Sequence, residues 1–395
     1  MERLVFLGVT VPSTCTMTSP SKRFPSTSSQ PHEQAYFIAN RRHPPPDYAC
    51  HCHAKAGHWQ PIYRVRTHPN ATGGNPTGKR RILLTGATGQ IGSELILELR
   101  QRLGGENVIA AVHSRPPSDQ LAESGPSVKL DLAREGDISL LVEDRAITEI
   151  WHLAAVLSAV GEKDPQNAWK VNMSSLINVL EVSRKANLRV FWPSSIAVFG
   201  KGAPRIDTPQ DAPLVPTSMY GVTKVAGELL CNYYHLKYGS DVRSVRYPGI
   251  ISSETHPGGG TTDYSVEMFY EAIQKGRYTC FVREDTILPL MYMPDCIRAT
   301  VEVMDAPAAR IRRWTSYNVN GASFSAGELA GEIKKRIADF EVEYVPDHRQ
   351  AIADSWPMSL DDREARRDWG WSPRYDLKAM ATDMMEKLSK RLRRE

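Results

Sequence analysis

Arg81-Ile82-Leu83-Leu84-Thr85-Gly86-Ala87-Thr88-Gly89-Gln90-Ile91-Gly92 is the stretch from which the rest of the chain is read. Its first five residues form an apolar run that stops at a glycine, the pattern of a buried strand. The glycine-rich seven that follow are a turn, and Ser93 to Leu103 is helical, with Leu95, Ile96 and Leu99 on one side. Gly86 permits the tight turn and Gly89 lets backbone approach a pyrophosphate. Gly92 lets the helix pack close to the sheet, with its N-terminus towards the phosphates. Three glycines alone could serve a structural turn. Their place between a strand and a helix favours dinucleotide binding, with Gln90 and Ile91 counted among the cofactor contacts.

Alternating units follow. Strands are expected at Asn107 to Val112, Ser127 to Leu130 and Glu149 to Leu153, with a helix near Ile138 to Asp144, which argues for a doubly wound parallel sheet. Asp131, with Leu132 beside it, is placed to meet an adenine edge, although a lone aspartate there equally suits a turn. Leu153-Ala154-Ala155 is small enough for a cofactor to lie against its backbone, and plain core packing explains it as well. The end of the second strand, where a carboxylate normally holds the adenosine ribose, reads His113-Ser114-Arg115. An arginine there accommodates a 2′-phosphate, so NADP stays beside NAD as a candidate.

The helix Pro165 to Ala186 carries Asn172, and the strand Arg189 to Trp192 leads to Ser194-Ser195. Ser195 lies 25 positions before Tyr220, after a strand that ends at the cofactor edge of the sheet. Tyr220-Gly221-Val222-Thr223-Lys224 opens a helix capped by Ser218, with apolar Val222, Val225, Ala226, Leu229 and Leu230 at helical spacing. Tyr220 and Lys224 then stand one turn apart on one face. An ammonium beside a phenol is expected to lower the phenol's pKa towards working pH, as a base acting on an alcohol requires. Each residue alone has a plain structural role: Tyr220 and Lys224 an exposed helical pair, Ser195 a turn serine, Asn172 a helix-surface amide.

Together, the glycine fingerprint, Ser195 and Tyr220-x-x-x-Lys224 resemble the extended short-chain dehydrogenase/reductase superfamily, from about Arg80 to the C-terminus. The resemblance implies a Rossmann-type doubly wound parallel sheet with a smaller C-terminal substrate domain. It implies that Ser195, Tyr220 and Lys224 are catalytic, that Lys224 holds the nicotinamide ribose, that Asn172 supports a proton relay and that Ile250 contacts the cofactor. It also implies a homodimer through the helices bearing Tyr220 and Asn172. Arg246 to Ser252, expected to follow the sixth strand, and Gly258-Gly259-Gly260-Thr261-Thr262-Asp263-Tyr264, expected to open a helix, look like the short-chain type of L-threonine 3-dehydrogenase. So do Met291 to Asp295 and Ser355-Trp356-Pro357. Glycines and threonines at a helix start offer amide hydrogens and hydroxyls that suit a small carboxylate. By this resemblance Gly260, Thr262 and Trp356 contact L-threonine, with Ser158 a further candidate and Trp356 otherwise a packing aromatic. His113 departs from the aspartate the resemblance leads one to expect. Two alternatives stand: a nucleotide-sugar epimerase or dehydratase of the same superfamily, and a non-catalytic cofactor-binding protein.

The full chain has 395 residues, 41% hydrophobic and 24% charged, with net charge +4. Most of the basic excess lies in the first eighty residues, so the rest carries no electrostatic footprint for nucleic acid. No apolar run reaches the length of a membrane span, and no metal is expected. Six scattered cysteines suit a reducing compartment or simple core thiols rather than a disulfide scaffold. Residues 1–78 set Arg3, Lys22, Arg23, Arg41, Arg42, Lys55, Arg64 and Arg66 against Glu2, Glu33 and Asp47, amid Ser, Thr and Pro. That composition fits a mitochondrial transit segment with a disordered tail better than a secretory signal on Leu4 to Val9. Cys50-His51-Cys52-His53 with His58 is too crowded for tetrahedral zinc. The expected division is therefore 1–78 tail, 79–250 dinucleotide-binding domain and 251–395 substrate domain, with elements of the last two interleaved.

Overall fold

The computed structural model describes residues 79–256, 258 and 260–393. The transit reading and the Cys50-His51-Cys52-His53 cluster with His58 lie outside the described residues. The first half runs β1 (Ile82–Thr85), α1 (Gln90–Leu103), β2 (Val108–Val112), α2 (Asp119–Glu123), β3 (Ser127–Lys129), α3 (Glu135–Asp144), β4 (Glu149–His152), α4 (Ser158–Gly161) and α5 (Pro165–Ala186). It continues with β5 (Arg189–Phe191), β6 (Ser194–Ser195), α6 (Met219–Tyr238), β7 (Val242–Arg243), β8 (Val245–Tyr247) and β9 (Gly249–Ile251). The second half runs α7 (Tyr264–Lys275), β10 (Arg277–Cys280), β11 (Ile287–Tyr292), α8 (Met293–Asp305), β12 (Tyr317–Asn318), β13 (Ala322–Ser325) and α9 (Ala326–Lys334). It ends with β14 (Glu341–Tyr344), α10 (Arg349–Ser355), α11 (Arg363–Trp369) and α12 (Leu377–Leu392).

A six-stranded sheet in the order β3-β2-β1-β4-β5-β7 forms the first layer, parallel throughout. Strand order reverses at β1 and β4, the crevice where doubly wound sheets take their ligands. The inner strands are apolar on both faces because helices cover both: β1 and β4 are buried at every residue. Local chemistry sets the helix ends. Asp164 caps α5 by accepting from Asn167 N, Pro165 stands at its first turn, and Asn187 ends it in a left-handed conformation. Ser218 caps α6 by accepting from Gly221 N, as expected.

Three smaller sheets follow: β12-β8-β6, β13-β11-β9 and β10-β14. Arg246 to Ser252 follows β7, the sixth strand of the large sheet, as the sequence suggested, and most of it lies in two further short strands, β8 and β9. Pro248 divides one apolar run into two strands that join different sheets. α8 packs into the same core as α1, with Met293, Cys296, Ala299, Val303 and Met304 meeting Leu95, Ile96 and Leu99. Cys231, Cys280 and Cys296 are buried free thiols.

Candidate active site

The cofactor side is built from the ends of β1, β2 and β4. Gly86 has φ +71, and a Cβ added there would lie 2.7 Å from Ala154 N and 2.8 Å from the Leu153 carbonyl carbon. A Cβ at Gly92 would lie 2.1 Å from Gly86 O. The turn is thus pressed against Leu153 and Ala154 on one side and its own helix on the other, so only glycine fits. α1 begins at Gly89 with no side-chain cap and no acid in its first turn, leaving its amide hydrogens available to an anion. This cradle fits a dinucleotide pyrophosphate. Gln90 Nε2 donates to Ile250 O at 3.4 Å, which brings two expected cofactor residues together across the sheet. Ile91 packs against the core, and Ala155 is half-buried beyond Ala154.

At the adenosine end, His113, Ser114 and Arg115 are exposed, and Arg115 Nη1 donates to Thr88 O at 3.2 Å. Asp131 Oδ1 accepts from Ala133 N at 3.0 Å and Oδ2 stands 3.7 Å from Arg134, the turn role its position also allowed. Leu132 is half-buried and its carbonyl accepts from Asn178.

The catalytic candidates gather where β5 and β6 end. Gly221 makes this possible: a Cβ there would lie 2.2 Å from Ala197 O and 2.6 Å from Pro216 Cβ, so any larger residue would lift the start of α6 off the 3-10 turn Ile196–Val198. With α6 seated, Ser195 Oγ accepts from Ala197 N at 3.2 Å and stands near enough to Tyr220 to favour its ionised form. Lys224, buried, donates to Pro193 O at 2.5 Å and lies 4.5 Å over the Trp192 ring and 5.4 Å from the Tyr220 ring centroid.

The electrostatics differ from the sequence expectation. Burial pushes the Tyr220 phenol up to about 12, against the lowering effect of Ser195. Burial also brings the Lys224 ammonium down to about 7. The expected lowering of the phenol by the lysine is not what this arrangement gives, because Lys224 directs its proton to a backbone carbonyl and both groups have lost solvent.

Asn172 is buried rather than on a helix surface. Its Oδ1 accepts from Val156 N at 2.7 Å, and its Nδ2 donates to Val156 O at 3.1 Å and Thr223 Oγ1 at 3.2 Å. Its side chain therefore ties the segment after β4 to α6. His152, not singled out from the sequence, ends β4 beside Thr85 in register and shares a 2.8 Å hydrogen bond with it. Its Nε2 is buried without a partner among the described residues, and burial, then the Lys224 charge, holds its pKa down at about 3. A histidine closing an apolar strand was the available signal, but its pairing with Thr85 needs the strand register.

On the substrate side, Gly260 N donates to Asp263 Oδ2 at 2.7 Å, so that amide is engaged by a carboxylate of the chain itself. The Thr262 side chain packs where Gly249 lacks one, and the buried Thr261 hydroxyl has no hydrogen-bond partner among the described residues. Ser158 is buried at the first residue of α4. Trp356 is 6% exposed, inside the apolar cluster with Ile196, Phe199 and Tyr264, and its carbonyl accepts from Arg205 Nε.

Residues 82–319 match the model of the NAD dependent epimerase/dehydratase family. The chain is 44% identical over 317 residues to mitochondrial L-threonine 3-dehydrogenase of Bos taurus, covering 80% of this chain and 84% of that protein. Among solved structures, the GalE-like L-threonine dehydrogenase of Cupriavidus necator in its holo form is 50% identical, with TM-score 0.76 over 78% of this chain and 99% of that one. A monomeric L-threonine 3-dehydrogenase from a metagenome, in apo form, is 45% identical, with TM-score 0.75 over 78% and 99%.

Proposed function

The chain belongs to the NAD dependent epimerase/dehydratase family, and on that premise we propose that it oxidises the side-chain hydroxyl of L-threonine to 2-amino-3-ketobutyrate with transfer of hydride to NAD. The observation that carries this reading is the gathering of Ser195, Tyr220 and the buried Lys224, its Nζ 5.4 Å from the Tyr220 ring centroid, at the sheet edge where the Gly86 cradle opens. The identities to threonine dehydrogenases support the choice of substrate.

Gly86, Gly89 and Gly92 would hold the pyrophosphate of a dinucleotide, with Leu153, Ala154, Ala155 and Ile250 along its length, and its nicotinamide would supply the hydride acceptor. Ser195 and Tyr220 hold the substrate hydroxyl. Tyr220, as phenolate, takes the hydroxyl proton while the C3 hydrogen leaves as hydride and the C3–O bond becomes double; Ser195 favours that phenolate against burial, and Lys224 would hold the nicotinamide ribose. Holding both partners in place supplies much of the rate. Thr262, with the buried Thr261 hydroxyl, receives the substrate carboxylate, and Gly260 joins them once its contact with Asp263 opens. Ser158 and Trp356 complete the substrate wall, and Asn172 acts by positioning the segment after β4.

The division into a dinucleotide unit at 79–250 and a substrate unit at 251–395 belongs to the same reading. So does a homodimer through α5 and α6, where Trp169, Ile177, Val222, Leu229, Tyr233 and Leu236 are exposed. We place the chain in the mitochondrion on the basic, acid-poor composition of residues 1–78; a fluorescent fusion of that segment that stays cytosolic would end this assignment.

The test of function is absorbance at the reduced-nicotinamide band with L-threonine and NAD. Tyr220→Phe is expected to abolish turnover while cofactor binding survives. Near-normal turnover in that variant would rule the mechanism out, and cofactor binding without any threonine oxidation would favour the epimerase or non-catalytic reading.

A further inference from the structure

β2 ends in Val112-His113-Ser114-Arg115, and residues 108–118 contain no carboxylate. β2 neighbours β1 and its glycine turn, so its end lies where a doubly wound sheet meets the adenosine ribose. A carboxylate at that place accepts from the ribose hydroxyls and repels a 2′-phosphate, whereas a guanidinium attracts the phosphate. Arg115 is held over the turn: Nη1 donates to Thr88 O at 3.2 Å, one residue before Gly89. No carboxylate pairs with Arg115 among the described residues, and the acid of the next strand end, Asp131, is engaged by Ala133 N and Arg134. The position thus lacks the group that excludes a phosphate and presents one that binds it.

We infer that this pocket holds a 2′-phosphate, with Arg115 as its charge partner and Ser114 and His113 beside it, so that NADP binds more tightly than NAD. NAD still enters, since a bare 2′-hydroxyl meets no opposing charge. The inference rests on the dinucleotide reading of the site and concerns what its adenosine end selects.

Calorimetric titration of the full chain with 2′,5′-ADP and with ADP tests it without turnover. The 2′-phosphate is expected to tighten binding about tenfold or more, an advantage that shrinks at high salt. Arg115→Ala should remove most of that advantage and leave ADP binding within about twofold, and His113→Asp should reverse the preference. Both positions are exposed, so circular dichroism of the variants should match the parent chain. Equal affinities, or tighter ADP, overturn the inference while threonine oxidation with NAD leaves the proposed activity standing. Tight 2′,5′-ADP binding without threonine oxidation does the reverse, and binding of neither nucleotide removes both.

Discussion

Glu94 sits in the second turn of α1, where burial raises its carboxyl to about 7 although Ser252 donates to it at 2.5 Å and Lys387 acts to lower it. The folded chain therefore keeps this proton at a pH where the unfolded chain, near 4.5, has lost it. Stability from this group is present below that lower value and is lost as pH rises through about 7. Glu94→Gln is expected to raise the melting temperature at about pH 8 and leave it unchanged at about pH 4; the same shift at both would show that charge is not the cause. Burial also explains what sequence could not say about Tyr220 and Lys224. Their types and spacing were readable, because one helical turn fixes their separation. Their proton affinities depend on Trp192, Pro193 and Ser195, which only tertiary packing brings against them. Gly221 is a similar case: its neighbour Tyr220 is evident from sequence, the backbone of Ala197 above it is not.

α6 is positioned by a buried ionic link. Glu228, one turn beyond Lys224, accepts from Arg246 through both oxygens at 2.8 and 2.7 Å and from Ser194 Oγ at 2.6 Å. Arg246 also donates to Gln210 O and Asn318 Oδ1. The link joins the helix bearing Tyr220 to the strand bearing Ser195. Glu228→Gln should cost about 3 kcal/mol or more by leaving Arg246 uncompensated, read by denaturant unfolding. Replacing Glu228 and Arg246 together by apolar residues of similar volume should cost much less; equal losses would show that the pair is not the cause. Elements with one wet face or a clear cap were legible: α5 appears at its expected bounds, Pro165–Ala186. β11 was not, because a run buried at every residue after its first carries no period to separate strand from helix.

Over the whole molecule, the exposed apolar side chains concentrate on α5 and α6. Val222, Leu229, Tyr233 and Leu236 form one stripe along α6, with Leu236 at 75% exposure and Leu229 at 60%. Leu229→Glu with Leu236→Glu is expected to convert a dimer to a monomer in sedimentation velocity while helix content stays constant. A parent chain that is already monomeric at micromolar concentration would dismiss the dimer. The broad plan of the sheet was readable because strand and helix alternate through its first half; the three small sheets were not, since they join strands far apart in sequence. That distance matters for how the chain is made. β8 pairs with β12, Val245 against Tyr317, and α8 fills the core beneath α1. A ribosome that has released residue 250 has delivered every strand of the large sheet, yet β8 still has an open edge and α1 an uncovered flank. The nascent cofactor half must wait through roughly seventy further residues, several seconds of elongation, before its own packing is finished. During that interval its apolar edge and flank stay open to water and to neighbouring chains.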